Sequence, residues 1–283
     1  MTTLDQFESV FRSAIKPVYR HQTVSIRRAV IITDLGQESA QEFAVLVQQL
    51  LSPLQITSWE LITGDQFSDT LELLELLDEK DMDLICCYRN VHSPAWQHPH
   101  SLGSHLDVLI QKTSTPVLVL PHPRAGYAYD HAFDDMRQVL AVTDHMTNDN
   151  LLVSYAAEFT GSVGHLHLAH IEDDIVFSRY MEAISKITTI DTQSAETALR
   201  YQLLKYPREY MDSCKAVLSM RNPGMSIEAI ITYGHRLREY LVYVDDLKIN
   251  LLVMRGKDED QLAMHGLSYP LAIELRQIPI LII

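Results

Sequence analysis

Long apolar runs are missing from this chain of 283 residues: no stretch approaches the ~18 consecutive apolar residues that a membrane span requires, so no transmembrane segment is expected. The first residues, MTTLDQFESV, lack the positive start and apolar stretch of a secretory signal, which makes a cytoplasmic location the expectation. Basic residues are few, 23 Lys and Arg against 37 Asp and Glu, for a net charge of −14. Affinity for phosphate backbones rests on clustered Lys and Arg, so a general nucleic-acid binder is disfavoured. The one basic-leaning stretch, Arg12, Lys16, Arg20, Arg27 and Arg28, reads as a solvated helix face and the lead-in to a strand. Of three cysteines, Cys86 and Cys87 are adjacent in an apolar run, which spells neither a disulfide framework nor a CxxC metal site and predicts buried thiols. No catalytic set is written either: there is no GxSxG elbow, no HExxH and no complete Walker loop. The carboxylate pairs Asp173-Asp174 and Asp245-Asp246 read as solvated surface.

What the chain does have is an internal repeat, and missing it would misassign the fold. An apolar strand ending in Thr-Asp occurs as AVIITDLG with Asp34 and as VLAVTDHM with Asp144. A strand running into glycine occurs as ELITGD with Gly64 and as AIITYGH with Gly234. DMDLICCY is followed by a loop with Gly103 and a helix, as LKINLLVM is by Gly266 and a helix, and STPVLVLP matches QIPILII. The spacing between the first two landmarks differs by about one strand–helix unit, so the N-terminal copy is the shorter.

The runs 28–33, 83–88, 116–120, 139–143, 249–254 and 279–283 are rich in Val, Ile and Leu without strict alternation, as strands covered on both faces are. Helical patterns lie between them at 38–51, 68–80 and 190–220, while 175–190 reads as a poorly periodic connection. Strands alternating with helices imply right-handed crossovers and doubly wound α/β sheets. The expected organisation is an N-terminal helical extension (1–25), a truncated domain (26–121) with four parallel strands, a Pro- and Gly-bearing linker (122–136) and a full-length domain (137–283) with five, each with its own sheet. Residues 1–16 carry Leu4, Phe7, Val10, Phe11 and Ile15 at helical spacing, a candidate cover for surface left bare by the missing unit.

The two Thr-Asp strand ends, HLHLAHIED, ITYGHRLREYLVYVDDLKINLLVMRG, and the Gly-helix-Pro-strand endings LGSHLDVLIQKTSTPVLVLP and HGLSYPLAIELRQIPILII, in this order, resemble the universal stress protein family in tandem form. The resemblance implies two flavodoxin-like domains of the adenine-nucleotide alpha-hydrolase type, associated through the edges of their final strands PVLVL and PILII or as a pseudo-dimer of the two domains. Family members that bind ATP carry glycine, two residues, glycine, nine residues, glycine, then Ser or Thr after the fourth strand. Such glycines let the backbone approach phosphates, and amides at the helix start point at the anion. Set on this pattern, the C-terminal copy offers Val253, Gly256 and Gly266, with Leu267 in the hydroxyl position and Ser268 one place late. Asp258, Glu259 and Asp260 add negative charge that repels phosphates unless a divalent cation such as Mg intervenes. The N-terminal copy has Tyr88 and Val91 in place of the first two glycines, a loop two residues longer, and only Gly103-Ser104 at the helix start. By resemblance Asp34 and Asp144 lie beside the base of a bound nucleotide; as an alternative, each caps the helix or turn that follows.

The candidate nucleotide site is therefore Asp144, Val253, Gly256, Gly266 and Ser268, with Asp34, Gly103 and Ser104 as a vestigial counterpart; the candidate ligand is AMP or ADP rather than ATP. His92, His98, His100 and His105 crowd one loop without carboxylate or thiolate company, so no metal site is expected. His170 reads as a satisfied structural histidine, and His235 as a surface-loop histidine or a crevice residue. The Met- and Tyr-rich stretch 179–225 reads as helix packing or as the lining of an apolar cavity. A non-catalytic stress-response or regulatory protein, acting on an unidentified regulatory partner or ligand, is the leading reading. The alternatives are a nucleotide-dependent switch or slow ATPase using the C-terminal copy, and a scaffold with empty pockets.

Overall fold

The computed structural model describes residues 18–97, 101–142, 149–256 and 266–283. Within them β1 (Arg28–Thr33), α1 (Gln37–Leu50), β2 (Ser58–Thr63), α2 (Thr70–Asp78), β3 (Leu84–Tyr88), α3 (Ser104–Lys112) and β4 (Val117–Leu120) precede the expected linker. After it come β5 (Gln138–Val142), α4 (Asn150–Thr160), β6 (His165–Asp173), α5 (Asp174–Ser185), α6 (Thr192–Arg221), β7 (Ser226–Gly234), α7 (Arg236–Asp246), β8 (Leu251–Met254), α8 (Ser268–Glu274) and β9 (Ile280–Ile282). The strand runs are buried on both faces, with β3, β4, β8 and β9 below 4% exposure at every position. That is why they lack alternation.

These strands form one nine-stranded sheet in the order β2-β1-β3-β4-β9-β8-β5-β6-β7. Every neighbouring pair is parallel except β4 and β9, which are antiparallel with Leu118 opposite Leu281. The expectation of two separate sheets is thus corrected. The final strands PVLVL and PILII do pair, but with each other inside one chain, since two short apolar edges that meet satisfy their backbone groups mutually.

A second correction concerns the shorter half. The glycine landmark matched β2 with β7, yet β2 lies directly beside β1 in full register, Arg28 opposite Ser58 through Thr33 opposite Thr63. In the longer half that place belongs to β6, with β7 outside it. A parallel strand needs a hydrogen-bonded neighbour, so loss of a unit closes the gap and the surviving strand moves inward.

The stretch 175–190 is also more regular than its pattern. It contains α5, capped by Asp173, whose carboxylate accepts from the Ile175 and Val176 amides. Phe177 is the one fully covered residue of that helix, so no helical stripe was written into the sequence. Tyr180, Tyr201 and Met220 are exposed rather than packed, while Tyr210, Met211 and Cys214 are buried where α6 crosses the sheet. Residues 1–17 lie outside the described residues. The segment that follows them runs onto the longer half: Tyr19 N–H donates to Ser213 at 2.8 Å, and the Tyr19 hydroxyl meets Ser154 at 2.9 Å.

Candidate functional site

Ligands of open α/β sheets collect where neighbouring connections diverge, at the carboxyl ends of the strands. In the shorter half that point lies between β1 and β3. Asp34, just past β1, accepts a hydrogen bond from the Tyr88 hydroxyl at 2.5 Å and another from the His92 amide at 3.0 Å. The same phenol oxygen accepts from the Asp34 amide at 2.9 Å and meets Thr33 Oγ1 at 2.7 Å. Arg124 adds a guanidinium 3.9 Å from the carboxylate. Burial works against the charged form, but the Tyr88 and His92 donors and Arg124 outweigh it and hold the Asp34 carboxyl below its usual range. Asp34 caps no helix: α1 begins after Gly36 without a side-chain cap. The capping alternative is therefore set aside for this position.

Aromatic rings crowd the rest of this end. Tyr88, fully buried, meets Phe43 at 5.4 Å and His122 at 4.8 Å, and Trp96 stacks on His122 at 5.0 Å. Phe67 packs on His92 and His105. Two glycines serve this packing. A Cβ on Gly64 would stand 2.8 Å from His92, and one on Gly103, whose φ is +89°, would stand 2.8 Å from the Asn90 backbone. Gly103 is thus held by a close approach of protein to protein. Ser104, the first residue of α3, is exposed.

Strand register also corrects the alignment of the two loops. Ile85 and Leu252 hold corresponding places, opposite Val117 and Ile280. The counterparts of Val253 and Gly256 are consequently Cys86 and Arg89, not Tyr88 and Val91. From Cys86 to Gly103 is 17 positions where Val253 to Gly266 is 13, so the N-terminal loop is longer by four residues rather than two.

In the longer half Asp144 and the acidic run 258–260 lie outside the described residues. Val253 is fully buried in β8, opposite Ala141 on one side and Leu281 on the other. Gly256 donates its amide to Ile283 O at 2.9 Å, and a Cβ there would stand 2.6 Å from Ile282 Cγ2. Gly266 is exposed with φ +60°. The Ser268 hydroxyl donates to Arg255 O at 2.5 Å. Arg255 grips the buried Asp149 with Nε at 2.8 Å and an Nη at 2.7 Å, while Asp149 caps α4 through the Leu152 amide. Sequence reasoning missed this bidentate pair and Tyr88–Asp34, because each joins residues dozens to a hundred positions apart.

His235 is exposed and caps α7, its Nδ1 3.5 Å from the Arg238 amide. His170 is buried as expected but not satisfied: neither ring nitrogen has a hydrogen bond, and its Nε2 stands 3.4 Å from the Glu172 carboxylate. Among the described residues no group of three or more His, Cys, Asp or Glu could hold a metal ion, and His98 and His100 lie outside them. No helix among the described residues is long and apolar enough to cross a membrane.

Solved structures resemble this arrangement over nearly its whole length. A universal stress protein from Archaeoglobus fulgidus matches with a TM-score of 0.52 at 12% identity, covering 92% of this chain and 97% of that one. A putative universal stress protein from Pseudomonas aeruginosa UCBPP-PA14 matches with a TM-score of 0.51 at 14% identity, covering 91% and 93%. The fold is that of the universal stress proteins. A functionally unknown protein from Pseudomonas aeruginosa PAO1 shares it with a TM-score of 0.52 at 15% identity over 91% and 92% of the two chains. No protein-family model matches the chain, and no curated protein matches it. Within the universal stress protein fold, the carboxyl ends of β1 and β3 are where Asp34, Tyr88, His92, His122 and Trp96 of this chain converge.

Proposed function

We propose that this chain is a non-catalytic regulatory protein built from two universal-stress-type units in tandem, acting by binding a partner or small ligand. The observation that carries the reading is the occupation of Asp34 by its own chain: Tyr88 and His92 supply the donors that a ligand would otherwise bring. The rings of Tyr88, His122 and Trp96 stand at the same strand ends. In the longer half, the amide of Gly256 and the hydroxyl of Ser268 are spent on Ile283 and Arg255. A phosphate would have to displace those bonds, each of net value about 0.5–1.5 kcal/mol.

The second reading is a nucleotide-binding switch or slow ATPase of the longer half. It is favoured by Gly266, whose exposed left-handed backbone stands two residues before Ser268 at the start of α8. Titration calorimetry with ATP, ADP and AMP, with and without magnesium, tests both. The expected outcome is no ATP binding in the micromolar range and weak binding of AMP or ADP near the millimolar range. Low-micromolar ATP binding, or phosphate release that vanishes in Asp144→Ala, would overturn the non-catalytic reading in favour of the switch.

A further inference from the structure

Where the two halves meet, the chain gathers cations that make no ion pair with a carboxylate among the described residues. Arg89, just past β3 and 3% exposed, sends its Nη atoms across the seam to the carbonyls of Ala272, Ile273 and Leu275 at 2.7–3.2 Å. These acceptors are the last turn of α8, whose dipole amounts to at most about half a negative charge. Arg276 follows the same helix end, its guanidinium 5.3 Å from the Tyr127 ring. Arg89 senses both Tyr127 and Arg276, and among the described residues no carboxylate lies within ion-pair distance of either arginine. Burial, with Arg276 beside it, pushes the Arg89 guanidinium down to about 10. Asp34, which acts on His122, is itself paired with a further cation, Arg124. The two guanidinium charges outweigh the half charge of the helix end, and the one carboxylate of that turn, Glu274, is exposed to solvent, which leaves the seam electropositive in a chain of net charge −14.

Three of the four unpartnered groups here are N–H donors that cannot accept, and the fourth, the Tyr127 hydroxyl, lies against the His122 backbone and still has a proton to donate. Arg89 Nε, Arg276 Nε, Tyr127 Oη and His122 Nε2 are buried without a hydrogen-bond partner. His122 Nδ1 accepts from the Arg124 amide at 3.2 Å, so its proton sits on Nε2 and that atom is a donor too. Guanidinium and imidazole N–H groups can only donate in this state. What the cluster lacks is an acceptor, and buried donors without one call for an unseen water or ion. Arg276 and Tyr127 are partly exposed, so the group opens toward solvent on their side and is closed behind by Arg89 and His122.

We propose that the seam between the halves binds a small oxyanion, a phosphate or a carboxylate, held by Arg89, Arg276 and Tyr127 with His122 behind them. The site lies at the carboxyl end of α8, where β4 meets β9, and adjoins the strand ends that hold Asp34 through His122, whose ring packs on Tyr88. An anion there bridges residues from both halves and α8, and it ties the halves together.

The test is thermal unfolding of the full chain in inorganic phosphate, acetate or chloride at matched ionic strength. Phosphate or acetate, whichever fits, is expected to raise Tm by roughly 2–4 °C at ten times its dissociation constant, and chloride to leave it unchanged. Comparing the phosphate and acetate arms identifies the class of anion. Arg276→Gln, which leaves the Arg89 bonds to α8 in place, is expected to abolish the rise, and Tyr127→Phe to reduce it. Equal Tm in all three salts would overturn the proposal, as water then fills the role. So would a phosphate response that persists in Arg276→Gln, since the anion would then bind elsewhere, for instance near Gly266.

Discussion

Removing one oxygen, in Tyr88→Phe, tests whether the carboxyl end of β1 is a finished piece of core or an open site. The phenol donates to a largely buried carboxylate, a bond of the charge-assisted kind worth about 1.5–3 kcal/mol. It also receives the Asp34 amide, and an orphaned amide costs about 1–3 kcal/mol where water cannot reach it. Water entering the vacated space offsets part of this, so the net loss is roughly 2–4 kcal/mol, a fall in Tm of roughly 4–16 °C for a chain of this size. The pH dependence carries a sign. Asp34 is held below its usual range in the folded chain, so its contribution is present above the unfolded carboxyl value, about 4, and is lost as pH falls through the folded one. The deficit of Tyr88→Phe should therefore be full at pH 7 and shrink below about pH 4. Urea denaturation at pH 7 and pH 3.5 measures both values. A variant as stable as the parent at pH 7, with the same dependence on urea, would refute the account of Asp34 as internally engaged.

Val253→Gly should cost roughly 2–4 kcal/mol by urea denaturation, from lost burial and a looser strand, and should not restore nucleotide binding even with Leu267→Ser, because the position lies inside the sheet. Arg89→Gln should destabilise by about 3 kcal/mol or more through the α8 carbonyls left without donors, and hydrogen exchange should accelerate in α8 and β9 before the rest of the chain. Calorimetry should find ATP affinity absent in the micromolar range in both the parent and Asp34→Ala; a loss of micromolar binding on that substitution would place a nucleotide at β1 after all.

Local pattern determined most of the elements, α5 being the exception. The Val- and Ile-rich runs became strands buried on both faces because a parallel sheet between helices offers no solvent side, and Pro116 and Pro279 stand just before β4 and β9. Asp149 and His235 cap helices through their own neighbours in sequence, as short polar side chains do. The Thr33-Asp34 strand end and the glycines before α3 and α8 were legible for the same reason: each is a demand made by a few adjacent residues. Tertiary structure decided what those residues do. Whether β2 stands in the second or third place depends on which strand it finds beside it. Whether Gly256 cradles a phosphate or makes room for Ile282 depends on the strand across the seam. Tyr88 and Asp34 are 54 positions apart, and Arg89 meets α8 from more than 180 positions away. Such pairs exist only once the sheet has fixed its register, because hydrogen bonds and close contacts are set by distance in space, of which sequence spacing carries no record beyond a turn or two.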